Sequence, residues 1–250
     1  MWELAIVFSN FNCKYIKEIK NELLKECKKS KVVCTILTQE KQTKLLIACE
    51  KENKQKVVKV LDEVISELFV TNYKEQYIKN NIQLKSIDQV SFKAFIKALT
   101  CFDKDYDKQY VKQKLNYTST LYLHSFFAFK LKNLKDKWQD ICNLTNENST
   151  FLKAQDTFIE LLKFLIKNLK IKHKMVNITF KNNTYNFLDE NNKRIKLKDK
   201  TEETDETFLI TNLITLNPQT INLYCGNSIE VETLSLLSKL FGSKINVCKK

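Results

Sequence analysis

The stretch Ser125–Cys142 reads SFFAFKLKNLKDKWQDIC. It packs three phenylalanines, a tryptophan and the lysines at 130, 132, 135 and 137 into eighteen residues. Two readings compete: an aromatic and basic platform for nucleic acid, or an amphipathic helix in a lysine-rich protein. Leu123, Phe127, Leu131, Leu134, Trp138 and Ile141 recur at steps of three and four, which lays the large apolar groups along one helical stripe. Stacking on bases needs exposed rings, and this spacing predicts that Phe127, Leu131 and Trp138 turn inward. The lysines occupy the remaining surface, where a charge run is ordinarily solvated. Lys130, Lys132, Lys135 and Lys137 stay as the candidate polyanion contacts, because phosphate binding needs only charge and reach.

Outward from this stretch, the pattern remains helical from Tyr73 to Ile171, with polar breaks near Asn80, Asp103 and Asn143. A second stripe, Phe151, Phe158, Leu162, Leu165 and Leu169, follows. The two stripes are long enough to pack as a helical hairpin, each buried aromatic contributing about 1.5–3 kcal/mol. Upstream, WELAIVFS reads as a strand, and Tyr15, Ile16, Ile19, Leu23 and Cys27 recur at helical spacing. KVVCTILT and KLLIACE read as two strands of a hairpin, and Val57 to Leu68 as a helix, giving β-α-β-β-α. After IKHK the period becomes two: MVNITF and TYNFLD flank an asparagine turn. The charged KDKTEETDE reads as a loop. TFLITNLITLNP is a helix stopped at Asn217 by Pro218, TINLYC a strand, SIEVETLSLLSKLFG a helix with Ser228 as N-cap and Gly242 as its stop, and KINVC a last strand. The last strand-helix-strand is expected to close into parallel neighbours. The expected class is α+β in three blocks: an α/β layer over 1–72, a helical block over 73–172 and a β-β-α-β-α-β segment over 173–250.

Composition bounds the function. The 250 residues carry a net charge of +13, yet Arg194 is the only arginine. Base-edge and bidentate phosphate recognition lean on the guanidinium fork, so the charge alone does not specify nucleic acid. Eight cysteines, at 13, 27, 34, 49, 101, 142, 225 and 248, form no C-x-x-C pair; they read as reduced thiols of a cytoplasmic protein, with no metal site. The amino terminus lacks a basic region and reads as a strand rather than a signal peptide. No apolar run approaches the roughly 20 residues that span a bilayer. With two glycines, Gly226 and Gly242, neither a P-loop nor a G-x-G-x-x-G turn can be written. His124 and His173 have no triad partners, and Glu202 to Glu206 lack the spacing of a calcium loop. No catalytic residue and no cofactor are expected. One ligand crevice is worth inspection, at Cys225, Gly226, Asn227 and Ser228, between a strand end and a helix start.

Several segments carry a family resemblance. Phe126 to Lys132 fits F-x-x-F-(K/R)-L-K, and TFIELLKFLIKN, a β-hairpin, FLITNLITLNPQTINLYC and SIEVETLSLLSKLFGSKINVC follow in order. Over residues 121–248 the chain thus resembles the YtxC-like family of sporulation proteins of endospore-forming bacteria. Where that family tends to place arginine, this chain has Lys130, which argues against a bidentate contact there. The resemblance implies a setting, spore formation in the mother-cell or forespore cytoplasm, and no biochemical activity. The reading favoured by the sequence is therefore a non-catalytic interaction or scaffold protein with a protein partner. The alternative is a nucleic-acid or anionic-surface binder using the lysine-rich helix faces.

Overall fold

The computed structural model describes residues 1–9, 13–28, 30–39, 42–84, 87–181, 184–197, 204–224 and 229–248. Helix takes 59% and strand 22%, arranged in two small mixed sheets, which makes the chain an α+β protein. Its backbone groups into two compact units that interleave in sequence: residues 1–77 with 104–141, and 78–103 with 142–250. Helices from the block 73–172 contribute to both.

In the first unit, β1 (Trp2–Ser9), α1 (Cys13–Glu26), β2 (Val32–Gln39), β3 (Gln42–Cys49) and α2 (Lys54–Leu68) follow the expected order. A π-helical turn, Phe69–Tyr73, joins α2 to α3 (Lys74–Asn81). The sheet order is β2-β3-β1-β4, with β2, β3 and β1 antiparallel in turn. One face is apolar at every second residue: Leu4, Ile6 and Phe8 on β1 and Leu45 and Ile47 on β3 are buried in one cluster with Ile16, Ile19 and Leu23 of α1 and Val57, Leu61 and Ile65 of α2. Period-two strands meet period-3.6 helices along this layer, and the burial that results is the main force holding it. The opposite face of the sheet leaves Val33, Leu37 and Leu46 exposed.

The remainder of this unit is α5 (Lys104–Lys114), the short strand β4 (Thr120–Tyr122), one turn of helix α6 (Leu123–Ser125), a second π-helical turn at Phe126–Lys130, and α7 (Lys132–Glu147). Strand β4 lies parallel to β1, with Val7 opposite Tyr122. It corrects the expectation that only helices and short polar breaks fill Tyr73 to Ile171: Leu121 completes the buried sheet face, and three residues suffice because β1 supplies the partner. The break at Asp103 is real, its backbone taking φ of 53° before α5 begins. Asn143 is no break, since α7 runs through it to Glu147.

In the second unit, α4 (Gln89–Cys101) is capped by the Asp88 carboxylate, which accepts from the Ser91 N–H at 2.9 Å. It packs on α9 (Asp205–Leu216) and on α8 (Gln155–Lys167), and α8 also packs on α10 (Val231–Phe241). The stripe on α8 is therefore satisfied inside this unit, Phe158 lying 5.2 Å from Phe95, while Leu131, Leu134 and Trp138 are buried in the core of the first. The sheet order is β6-β5-β7-β8, where β5 is His173–Lys181, β6 Thr184–Leu188, β7 Pro218–Leu223 and β8 Ile245–Val247. Strands β5 and β6 form the antiparallel hairpin; β5, β7 and β8 are parallel, as expected for the closing strand-helix-strand. Helix α9 ends at Asn217 (φ 33°) ahead of Pro218. It starts at Asp205, within the expected acidic loop, because Thr204 caps it and acidic residues suit a helix amino terminus. The turn residues 182–183, the loop residues 198–203 and the proposed cap Ser228 lie outside the described residues; Glu230 occupies the N-cap position of α10.

Candidate polyanion site

The opening stretch departs from a regular helix at one point. Its buried positions run Leu123, Phe126, Leu131, Leu134 and Trp138, so the third follows the second by five residues. That step is the π-helical turn: the Leu131 N–H donates to the Phe126 carbonyl at 3.2 Å. Phe126 and Phe127 pack on Phe69 of the first π turn, at ring separations of 5.4 and 5.9 Å, and Phe127 also meets Tyr73 at 5.1 Å. Phe127 is half-buried, while Leu131 and Trp138 are fully buried, so the stripe turns inward as the sequence predicts. Phe129 is the exception. The residue inserted by the π turn leaves it off the stripe and 78% exposed. Isolated π turns are weaker than α-helix and occur disproportionately at functional sites.

Phe129 stands at the rim of a pocket of about 610 Å³. The end of α5 and the segment after it supply Tyr110, Gln113, Lys114 and Asn116; the π turn and the first turn of α7 supply Lys130, Lys132 and Asn133. No carboxylate lines it. The Lys114 ammonium lies 5.4 Å from the Tyr110 ring, a cation–π contact that holds the side chain without neutralising it. No described carboxylate pairs with Lys114, Lys130 or Lys132. The first turn of α7 carries no acidic residue, so Lys132 sits where the helix dipole is itself positive. Three ammonium groups, three amides and two rings thus line one concave surface.

The other candidate lysines are placed elsewhere. Lys135 lies over the Phe127 ring at 5.4 Å. Lys137 donates to Asp107 at 3.0 Å and lies 4.6 Å from the Tyr106 ring. Asp107 is fully buried and also accepts from Lys74 at 2.7 Å and from the Trp138 indole N–H at 3.0 Å. This carboxylate ties α3, α5 and α7 together. Along α5 itself, Lys104, Lys108 and Lys112 pair with Glu63 and Glu67 of α2. Hydrogen bonds from Lys112 and then Lys108 hold the Glu63 carboxyl below its ordinary range.

Other positions offer less chemistry. The expected crevice at Cys225, Gly226, Asn227 and Ser228 lies outside the described residues. His124 is exposed beside buried Leu123, and His173 opens β5. Cys34 and Cys142 are free thiols that burial pushes up to about 11, which leaves them protonated and unreactive near neutral pH. Among the described residues, no group of histidine, cysteine and carboxylate side chains is arranged to hold a metal ion, and no helix is long and apolar enough to cross a membrane.

Lys130 and Lys132 are the part of the sequence-derived set that meets in the pocket. Lys114, Tyr110, Phe129 and the amides were not singled out. Phe129 was legible in principle, since a residue two after Phe127 and two before Leu131 cannot share their face; Lys114 was not, because α5 joins the π turn only in the folded unit.

A model of the YtxC-like family matches residues 52–246. The chain belongs to the YtxC-like family. The match begins at the foot of α2 and so reaches further toward the amino terminus than the resemblance over 121–248. All the residues lining the lysine pocket fall inside the YtxC-like span. No curated protein and no solved structure matches the chain.

Proposed function

We propose that this protein is a non-catalytic binding protein that holds a polyanion in the pocket formed by Lys114, Lys130 and Lys132, and that it acts in the cytoplasm during spore formation, the setting that its family implies. One observation carries the reading: these three lysines line one concave surface, and none of them pairs with a carboxylate among the described residues. Unneutralised lysines facing each other are held at a cost in mutual repulsion, and a polyanion removes that cost while releasing its own counterions. The test is retention on immobilised heparin under a salt gradient. Wild type should elute late, and the double variant K130Q/K132Q markedly earlier; co-elution of the two would overturn the reading.

A protein partner is the second reading, and a different surface favours it. Strand β2 is a sheet edge of eight residues without a charge. Beside it, Val33 is 66% exposed, with Leu37 and Leu46 on the same open face. Apolar edges of this kind invite strand addition. V33D should abolish such an association while leaving heparin retention unchanged, a separation measurable by cross-linking in sporulating cells.

A further inference from the structure

Resting on the polyanion reading of the pocket, we infer that its ligand is single-stranded nucleic acid, bound with one base stacked on Phe129 and the flanking phosphates on Lys114, Lys130 and Lys132. Charge alone would be satisfied by any polyanion, but charge does not account for the ring. Phe129 lies 78% exposed in the pocket lining, on a π turn that is anchored by buried Phe126 and followed by buried Leu131. A face of that kind has a use when the ligand brings a π surface of its own. Duplex bases are stacked inside the helix and cannot reach it; a polyphosphate or an acidic peptide offers no flat partner.

The remaining lining agrees with this choice. Gln113, Asn116 and Asn133 each bring both a donor and an acceptor, the pairing that base edges and ribose hydroxyls require. A volume of about 610 Å³ lies within the range of sites that enclose one small ligand; it suits one nucleotide of a strand that continues over the surface. Because the pocket has lysines and no arginine, phosphates are held by point charges without a fixed fork. Binding is therefore expected to tolerate sequence.

The test uses the full chain and three fluorescent probes: an oligouridylate, a strand of equal length made of abasic deoxyribose phosphate, and heparin. Phe129→Ala replaces an exposed side chain and leaves the fold intact. It should weaken oligouridylate binding on the order of 5- to 150-fold, the span of one base–aromatic stack, and leave the abasic strand and heparin unchanged. Lys132→Gln should weaken all three. An oligodeoxyuridylate distinguishes RNA from DNA, and the corresponding duplex should bind more weakly than either single strand. The inference is overturned if F129A lowers binding of all probes alike or of none, or if duplex equals single strand. In those cases the polyanion reading stands so long as K132Q weakens heparin. If wild type binds no probe, both fall together.

Discussion

Helix α5 carries two sets of lysines that meet opposite fates. Lys104, Lys108 and Lys112 recur at every fourth residue on one face and close against Glu63 and Glu67 of α2, forming an ion-paired seam. Lys114, two residues further, joins Lys130 and Lys132 around a pocket that no described carboxylate lines. The seam is architecture: two carboxylates bridge three ammonium groups and pin α5 to α2. The pocket is potential, since its charges are left for something else. A formal charge of +13 therefore says little by itself; the informative quantity is which lysines the fold leaves unmatched, and where they gather.

The largest effect should come from the group that supports both regions. Asp107 accepts from Lys74, which is only 1% exposed, and from Trp138 and Lys137. Removing one partner of a buried ion pair costs about 3–5 kcal/mol. D107N should lower unfolding stability by about that amount in urea, read by the fluorescence of buried Trp138. A loss below about 1 kcal/mol would mean that α3, α5 and α7 are joined mainly by their apolar contacts, and that the pocket on α5 and α7 does not depend on this carboxylate.

That dependence explains which parts were readable in sequence. The first sheet and its two helices were legible because WELAIVFS and KLLIACE alternate with period two and Val57 to Leu68 with period 3.6, patterns that local sequence states outright. The end of α9 was equally clear from Asn217-Pro218. Strand β4 was not, since Thr120–Tyr122 is three residues long and becomes a strand only by meeting β1, more than a hundred residues upstream. The two stripes on α7 and α8 were read correctly as apolar, but periodicity cannot name the surface a stripe will meet; each found a different core. The pocket was half visible. Lys130 and Lys132 stood out as charge, whereas the π turn that extrudes Phe129 is set by Phe126 and Phe127 packing on Phe69, a contact across 57 residues of sequence.

A middle-sized effect separates seam from pocket by function. If the three pocket lysines make the phosphate contacts, each contributes about 0.7 to the slope of log affinity against log salt for a single strand. K130Q/K132Q should flatten that slope by about 1.4 while leaving the urea midpoint within about 0.5 kcal/mol of wild type, since the exposed side chains hold nothing in the fold. K104Q/K108Q should do the reverse in kind: no change of slope, with a measurable loss of stability. A slope that falls equally in both double variants would dissolve the distinction between the regions.

Smaller still is the cost of breaking the seam from its acidic side. Glu63 is about half exposed and receives Lys108 at 2.9 Å, so by the usual worth of surface pairs E63Q should cost below about 1 kcal/mol in urea unfolding. It also frees Lys112, and leaves Lys108 to Glu67, without moving either toward the pocket. Heparin elution of E63Q should therefore shift later by less than K130Q/K132Q shifts it earlier; a larger shift would make the seam lysines a reserve for ligand rather than structure.

The faintest effect lies in the acid limb of stability. Lys112 and Lys108 depress the Glu63 carboxyl from its ordinary 4.5. At Glu67 burial pushes upward, but Lys104 and Lys108 outweigh it and the net direction is again downward from 4.5. A carboxyl held lower in the folded state binds fewer protons there than in the unfolded chain, so its contribution is complete above the ordinary value and is lost as pH falls through the lower folded one. Urea midpoints followed from about pH 6 to about pH 3 should decline less steeply in E63Q than in wild type. Lys114 pairs with no carboxylate among the described residues, so K114Q should overlay wild type across the same range. If K114Q also flattens the decline, the pocket lysine has an acidic partner in solution, and the contrast between the two faces of α5 fails where it is most easily measured.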